Sequence, residues 1–171
     1  MTVVTDTMGL QIHPLLLDRV IHGTKTGLEM TGVDPLAIGA SKFLKTPHKI
    51  SVLVGLLGDY TGTLIFNLSE RAALLLAGRL LGEDQTEFNE DTLDGIAEIG
   101  NIIAGGVKSL ADGTEFAFAN LSCPTVVMGA SYDLYYSRGF TNVSVDFELT
   151  EISVVHQRDR LFTVSVSLMK R

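Results

Sequence analysis

A single cysteine, Cys123, stands in the 171 residues, so no internal disulfide is possible and nothing in the thiol usage points to an oxidising compartment. Basic residues are also scarce: 13 Lys and Arg against 20 Asp and Glu give a formal net charge of −7. Nucleic-acid binding rests on Lys and Arg that neutralise phosphates, and docking on an anionic membrane needs the same groups, so the balance argues against both. No stretch approaches the ~20 consecutive apolar residues that span a bilayer. The start, Met1-Thr-Val-Val-Thr-Asp6, lacks the basic and apolar regions of a signal peptide. A cytoplasmic protein is expected. His13, His22, His48 and His156 form no i,i+4 pair beside a glutamate, so no zinc site is expected. No Gly-x4-Gly-Lys-[Ser/Thr] occurs, and Ala104-Gly-Gly-Val-Lys108 falls inside a helical stretch, which leaves no nucleotide site. Cys123, beside Pro124 and without a fixed basic neighbour, reads as a small buried hydrophobe and not a nucleophile.

What is present is ordinary for a packed chain: 46% apolar residues, at a length that suits one domain spanning 1–171. Leu16, Leu17, Val20, Ile21 and Leu28 recur near a helical period and predict a helix over 14–31. Ile50, Val52 and Val54, then Leu64, Phe66 and Leu68, alternate on either side of Gly58-Asp-Tyr-Thr-Gly62, which reads as a hairpin. Ser69 and Gly82 bracket a helix over 70–81 as N-cap and terminator. An acidic connector follows over 83–92, then a second long helix to about Ala111. Residues 142–149 and 161–168 alternate apolar with polar, the signature of antiparallel strands with one buried and one wet face. Helices covering the buried face give a two-layer α+β fold with a mainly antiparallel sheet.

The halves resemble one another. Pro35-Leu-Ala-Ile-Gly-Ala-Ser41 returns as Pro124-Thr-Val-Val-Met-Gly-Ala-Ser131, and Val20-Ile21-x-Gly23 with Leu28 matches Ile102-Ile103-x-Gly105 with Leu110. A duplicated helix–strand–hairpin unit, about 13–82 and 90–168, accounts for this. In that register Leu16 stands opposite Glu98, and Arg19 opposite Asn101.

At about 100° per residue, Leu93, Ile96, Ile99, Ile103, Val107 and Leu110 share a face that must meet the sheet. Asp94, Glu98, Asn101, Gly105, Lys108 and Asp112 lie roughly opposite. Glu98 and Asn101 are three apart and therefore neighbours on the surface. Gly100, Gly105 and Gly106 cost roughly 1 kcal/mol each against Ala in a helix interior. Their missing side chains imply close packing inside or a partner's approach outside.

The run Asp94-x3-Glu98-x2-Asn101, followed after 22 residues by Pro124, resembles the signature of the CheC/CheX/FliY family of chemotaxis phosphatases. Glu98-Ile-Gly-Asn-Ile-Ile-Ala-Gly-Gly-Val-Lys-Ser-Leu110 looks like the family's motif helix, and Ala77-Gly-Arg-Leu-Leu-Gly82 like the helix before it. The resemblance runs from about residue 13 to 168. It implies a CheC-like fold and hydrolysis of the aspartyl-phosphate of a CheY-type response regulator, with Mg2+ held by the partner receiver and no cofactor of the chain's own. Asn101 is expected to orient the attacking water, because an amide binds water without bringing negative charge beside a phosphoryl group. Glu98 is implied to meet the receiver's active-site lysine, with Asp94, Gly105, Lys108 and Pro124 as partner-binding or supporting positions. The first helix lacks the Glu/Asn pair, which resembles the one-site, CheX-like arrangement, a homodimer built by joining sheets. Strands such as 142–149 and 161–168 are the expected context for edge pairing across a two-fold axis. The other function compatible with this pattern is a non-catalytic receiver-binding or flagellar-switch adaptor, which would be free to lose either residue.

Overall fold

A computed structural model describes residues 12–129 and 132–171; Ala130 and Ser131 of the second repeat segment lie outside the described residues. Pro14 opens α1 (Pro14–Leu28), where its missing N–H would have had no helical partner anyway. A short 3-10 turn, Glu29–Thr31, and Gly32 at φ 69° end it. Strand β1 (Leu36–Ser41) follows, then the hairpin of β2 (Ile50–Leu57) and β3 (Tyr60–Leu68). Helix α2 (Glu70–Leu81) is capped by the Ser69 hydroxyl, which accepts from the Ala72 N–H, and stops at Gly82 with φ 79°.

Helix α3 (Glu90–Ala111) starts earlier than the apolar pattern implies and takes the end of the acidic connector with it. The cause is a capping box: Asn89 Oδ1 accepts from the Thr92 N–H while Thr92 Oγ1 accepts from the Asn89 N–H. The short β4 (Asn120–Leu121), β5 (Thr125–Met128), β6 (Thr141–Glu148) and β7 (Leu161–Lys170) complete the chain.

All strand pairs are antiparallel, in the order β1-β6-β7-β3-β2, with β5 and β4 sharing the outer side of β2. Exchanging the strand sets β1, β2, β3 and β5, β6, β7 turns the order β1-β6-β7-β3-β2-β5 into its own reverse. The edges are therefore β1 and β5/β4. Strands β6 and β7 are interior, each paired on both sides. A bulge at Ile38, the extra residue between the Ala37–Phe147 and Gly39–Asp146 partners, interrupts the β1 edge.

The helices cover one face, where Leu16, Val20, Leu76, Ile99 and Ile103 are buried with Val52, Phe66, Val145 and Val164. The opposite face departs from the expected wet surface: Ser51, Asn67, Ser144, Thr163, Ser165 and Ser167 are all buried. Because β1 and β5 pair at opposite ends of the sheet from the strands that follow them, their connections must cross this face. Segment 42–49 does so, with Lys45 Nζ 3.3 Å from Asp146 Oδ2 on β6 and the His48 N–H donating to Asn67 Oδ1 on β3 at 2.9 Å. The return segment meets it where Thr46 Oγ1 donates to the Tyr132 carbonyl. Short hydroxyl side chains let the segments lie close and satisfy one another, as in the Ser144–Ser165 hydroxyl pair. Burial under this cover holds the His48 imidazole below its ordinary 6.5, against the opposing pull of Asp159 and Asp146.

Candidate functional site

Helix α3 is held by close backbone contacts. A Cβ on Gly100 would lie 2.5 Å from Val52 Cγ1 on β2, and one on Gly106 would lie 2.5 Å from the Gly23 carbonyl oxygen of α1. From the other side, a Cβ on Gly23 would meet the Val107 N at 2.6 Å and one on Gly27 the Ile103 Cα at 2.8 Å. The two long helices thus cross with their backbones in contact, a fit only glycine permits. Gly95 faces Ala77 of α2 at ordinary distance. With its inner sides so engaged, α3 keeps one side for the outside.

That side carries the residues singled out from the sequence. Asp94 and Glu98 are exposed, and Asn101, Gly105 and Lys108 are half-buried on the same face. None of the charged or amide side chains among them enters a hydrogen bond or ion pair with the described residues. An amide and a carboxylate one turn apart, on a helix fixed at its back, are thereby open to an incoming molecule. Pro124 is not on this face: it stands half-buried in the β4–β5 connection, at the sheet edge against which α3 packs. Its ring rigidifies the chain entering β5. Cys123 beside it is exposed, not buried as its neighbours suggest, because this connection lies outside the sheet.

The repeat register read from the sequence needs correction by one residue. Matching Gly23 to Gly105 sets Leu16, fully buried, against the exposed Glu98. Matching Gly23 to Gly106, which face each other at the helix crossing, pairs buried Leu16, Val20, Thr24 and Leu28 with buried Ile99, Ile103, Val107 and Ala111. Leu15 and Asp18 then occupy the places of Glu98 and Asn101, so α1 still lacks the pair. The apolar doublets Val20-Ile21 and Ile102-Ile103 coincide only in the first register, so the letters favour it and burial overrules them.

Elsewhere, an open groove runs beside α2, lined by Lys49, Arg71, Arg79, Arg158 and Asp159, with no residue of α3. Arg71 Nε lies 3.3 Å from Asp159 Oδ2 and Lys49 Nζ 3.7 Å from Glu70 Oε1, so much of that charge is internally matched. Among the described residues no group of three or more His, Cys, Asp or Glu could hold a metal ion, and no helix is long and apolar enough to cross a membrane.

Comparison with known proteins places this arrangement. The chain is 28% identical over 104 residues to the CheY-P phosphatase CheX of Thermotoga maritima, an alignment spanning 59% of this chain and 66% of that relative, just short of two thirds of its length. The CheX structure from Desulfovibrio desulfuricans superposes with TM-score 0.74 at 20% identity, covering 90% of this chain and 98% of that one. CheX in the CheX–CheY–BeF3–Mg2+ complex of Borrelia burgdorferi superposes with TM-score 0.71 at 22% identity, covering 93% and 99%. These likenesses extend the α+β, mainly antiparallel architecture to nearly the whole chain. Residues 50–148, more than half of the sequence and including all of α3, match the family described as chemotaxis phosphatase CheX. The chain belongs to that family.

Proposed function

We propose that this protein hydrolyses the aspartyl-phosphate of a CheY-type receiver domain, working in the cytoplasm beside its partner. The observation that carries the reading is the outward Glu98 and Asn101, without partners among the described residues, on the helix that the family match includes. An aspartyl-phosphate is already an activated acyl phosphate. The receiver brings Mg2+ and cationic groups that neutralise the phosphoryl oxygens. The missing component is a water held in line with the leaving carboxylate, which is a task of positioning. The Asn101 carbonyl accepts a hydrogen bond from that water and its NH2 is free to donate. Glu98, three residues earlier, takes the receiver's lysine and sets the distance between the two proteins. Asp94 extends the same face by one turn before the pair and Lys108 by two turns after it, and Pro124 steadies the flank. Retention of both Glu98 and Asn101 favours catalysis over an adaptor role.

The assembly we propose is a homodimer joined through β1. All of Leu36–Ala40 is exposed and uncharged, with Leu36 at 47% and Ile38 at 52% exposure and Phe43 just beyond at 64%. Such an edge invites pairing with a second copy. The reversible strand order and the matched burial of α1 and α3 support an internal duplication as the origin of the fold.

The test is to time phosphate loss from a panel of phosphorylated receivers of the same organism. One of them should lose phosphate faster with the protein present. Asn101→Ala should lower that acceleration on the order of 10²–10³-fold while binding persists. An Asn101→Ala variant with wild-type activity refutes the mechanism.

A further inference from the structure

Three of the four glycines of α3 face other parts of this chain: Gly100 meets Val52, Gly106 meets the Gly23 carbonyl and Gly95 meets Ala77. Gly105 does not. A Cβ there would find nothing within 4 Å, and its backbone is ordinary helix with negative φ. The fold therefore has no use for the missing side chain, although glycine is the least favourable residue but proline inside a helix. Gly105 stands four residues after Asn101, and a helical side chain leans toward the N-terminus over the turn before it. Any side chain at 105 would lean over the Asn101 amide.

Helix α1 shows what that looks like. In the register fixed by burial, His22 stands where Gly105 does and Asp18 where Asn101 does. His22 leans back as expected: Nδ1 lies 3.0 Å from Asp18 Oδ1 and 3.0 Å from the Asp18 carbonyl oxygen. Arg19 closes on the same carboxylate at 2.7 Å. The residue corresponding to Asn101 keeps its side chain 44% exposed, but both of its carboxylate oxygens and its carbonyl oxygen are engaged by Arg19 and His22.

We infer that Gly105 is the clearance through which a phosphorylated receiver's surface reaches Asn101, and that the matching face of α1 is closed to a receiver by His22 and the ion pairs of Asp18. This rests on the proposed receiver-directed activity and adds its geometry. One chain then engages one receiver, through α3.

The experiment compares the wild type, Gly105→Ala, Gly105→His and His22→Ala. It measures turnover of phosphorylated receiver, calorimetric binding to the same receiver loaded with Mg2+ and BeF3−, and thermal melting. Both Gly105 variants should melt at or above the wild-type temperature, since the added atoms meet open space. Gly105→His should raise KM and weaken binding on the order of tenfold or more, with kcat much less affected, and Gly105→Ala should do so to a smaller degree. His22→Ala, on α1 and away from α3, should keep the wild-type turnover through α3, and the wild type should bind one receiver per chain. A folded Gly105→His variant with wild-type KM and affinity overturns the clearance, and a wild type that binds two receivers per chain overturns the closed α1 face. If the wild type binds without turnover while Gly105→His loses binding, the clearance stands and the phosphatase reading falls. A wild type that binds no receiver removes both.

Discussion

Gly105 and Gly106 are adjacent in sequence, and the structure gives them opposite responses to one added methyl group. At Gly106 the new Cβ would lie 2.5 Å from the Gly23 carbonyl oxygen, 3.2 Å from its carbonyl carbon and 3.3 Å from its Cα. Every one of these atoms is backbone, so no rotamer change relieves the clash. Ordinary contact begins at 3.4 Å, so α1 must retreat by about 1 Å. That loosens the buried contacts of Val20 and Val107 at the crossing. Overpacking of this kind costs about 1–3 kcal/mol, against roughly 1 kcal/mol gained in helix propensity on replacing glycine. Gly106→Ala should lose up to about 2 kcal/mol net, a fall in Tm of up to about 8 °C for a domain of this size. Gly105→Ala meets no neighbour and should gain up to about 1 kcal/mol, or about 2–4 °C. Urea and thermal unfolding followed by circular dichroism measure both against the wild type. Shifts in the same direction, or a Gly106→Ala protein more stable than the wild type, would refute the backbone contact between α1 and α3.

Glu98→Ala should weaken receiver binding and lower turnover together. As an exposed ion-pair partner Glu98 is worth only ~0–1 kcal/mol in binding, so an effect on turnover well beyond that on binding, read from KM and kcat, marks its positioning role, and no effect on either counts against it. Ile38→Lys should place a charge in the β1 edge and lower the light-scattering mass from two chains to one; a wild-type mass of one chain at every dilution would dispose of the dimer. The His48 pKa is lowered in the folded protein, so the imidazole is neutral in both states above about 6.5. Below that value the unfolded chain binds a proton that the folded one resists, so stability falls as pH drops toward the folded pKa. His48→Gln should flatten this loss as the pH falls through about 6.5 in urea titrations, and parallel profiles would show that His48 plays no part.

The parts of the fold legible in the sequence are those set by local chemistry. Ser69 and Gly82 mark the ends of α2 because caps act within a turn of the residue that makes them. The outward face of α3 followed from a 3.6-residue period, and each residue assigned to it is exposed or half-buried there. The errors are non-local. Alternation in 161–168 is read correctly as strand, but Ser165 and Ser167 are polar because crossover segments cover them, not because water does. Nothing in the alternation distinguishes these cases, since a hydroxyl satisfied by a neighbouring serine reads the same as one satisfied by solvent. Position within the sheet is likewise invisible in β6 and β7, whose outer partners β1 and β3 lie far away in sequence. The start of α3 was missed for a different reason: Asn89 and Thr92 form a capping box without the usual glutamate.

The strand order that reverses onto itself makes α1 and α3 geometrically alike, crossing at Gly23 and Gly106 over one sheet. Each offers an outward face, and both carry a lysine in the last turn, Lys25 and Lys108. The chemistry separating the faces then lies in three positions: Leu15 against Glu98, Asp18 against Asn101, and His22 against Gly105. A backbone similar throughout to CheX would look the same with either set of side chains on α3, so the architecture alone carries no catalytic information. It supplies rigidity. Two helices locked backbone to backbone fix the outward residues, and in the proposed reaction a loose crossing would cost the in-line alignment of a water placed by Asn101 even with both functional groups intact.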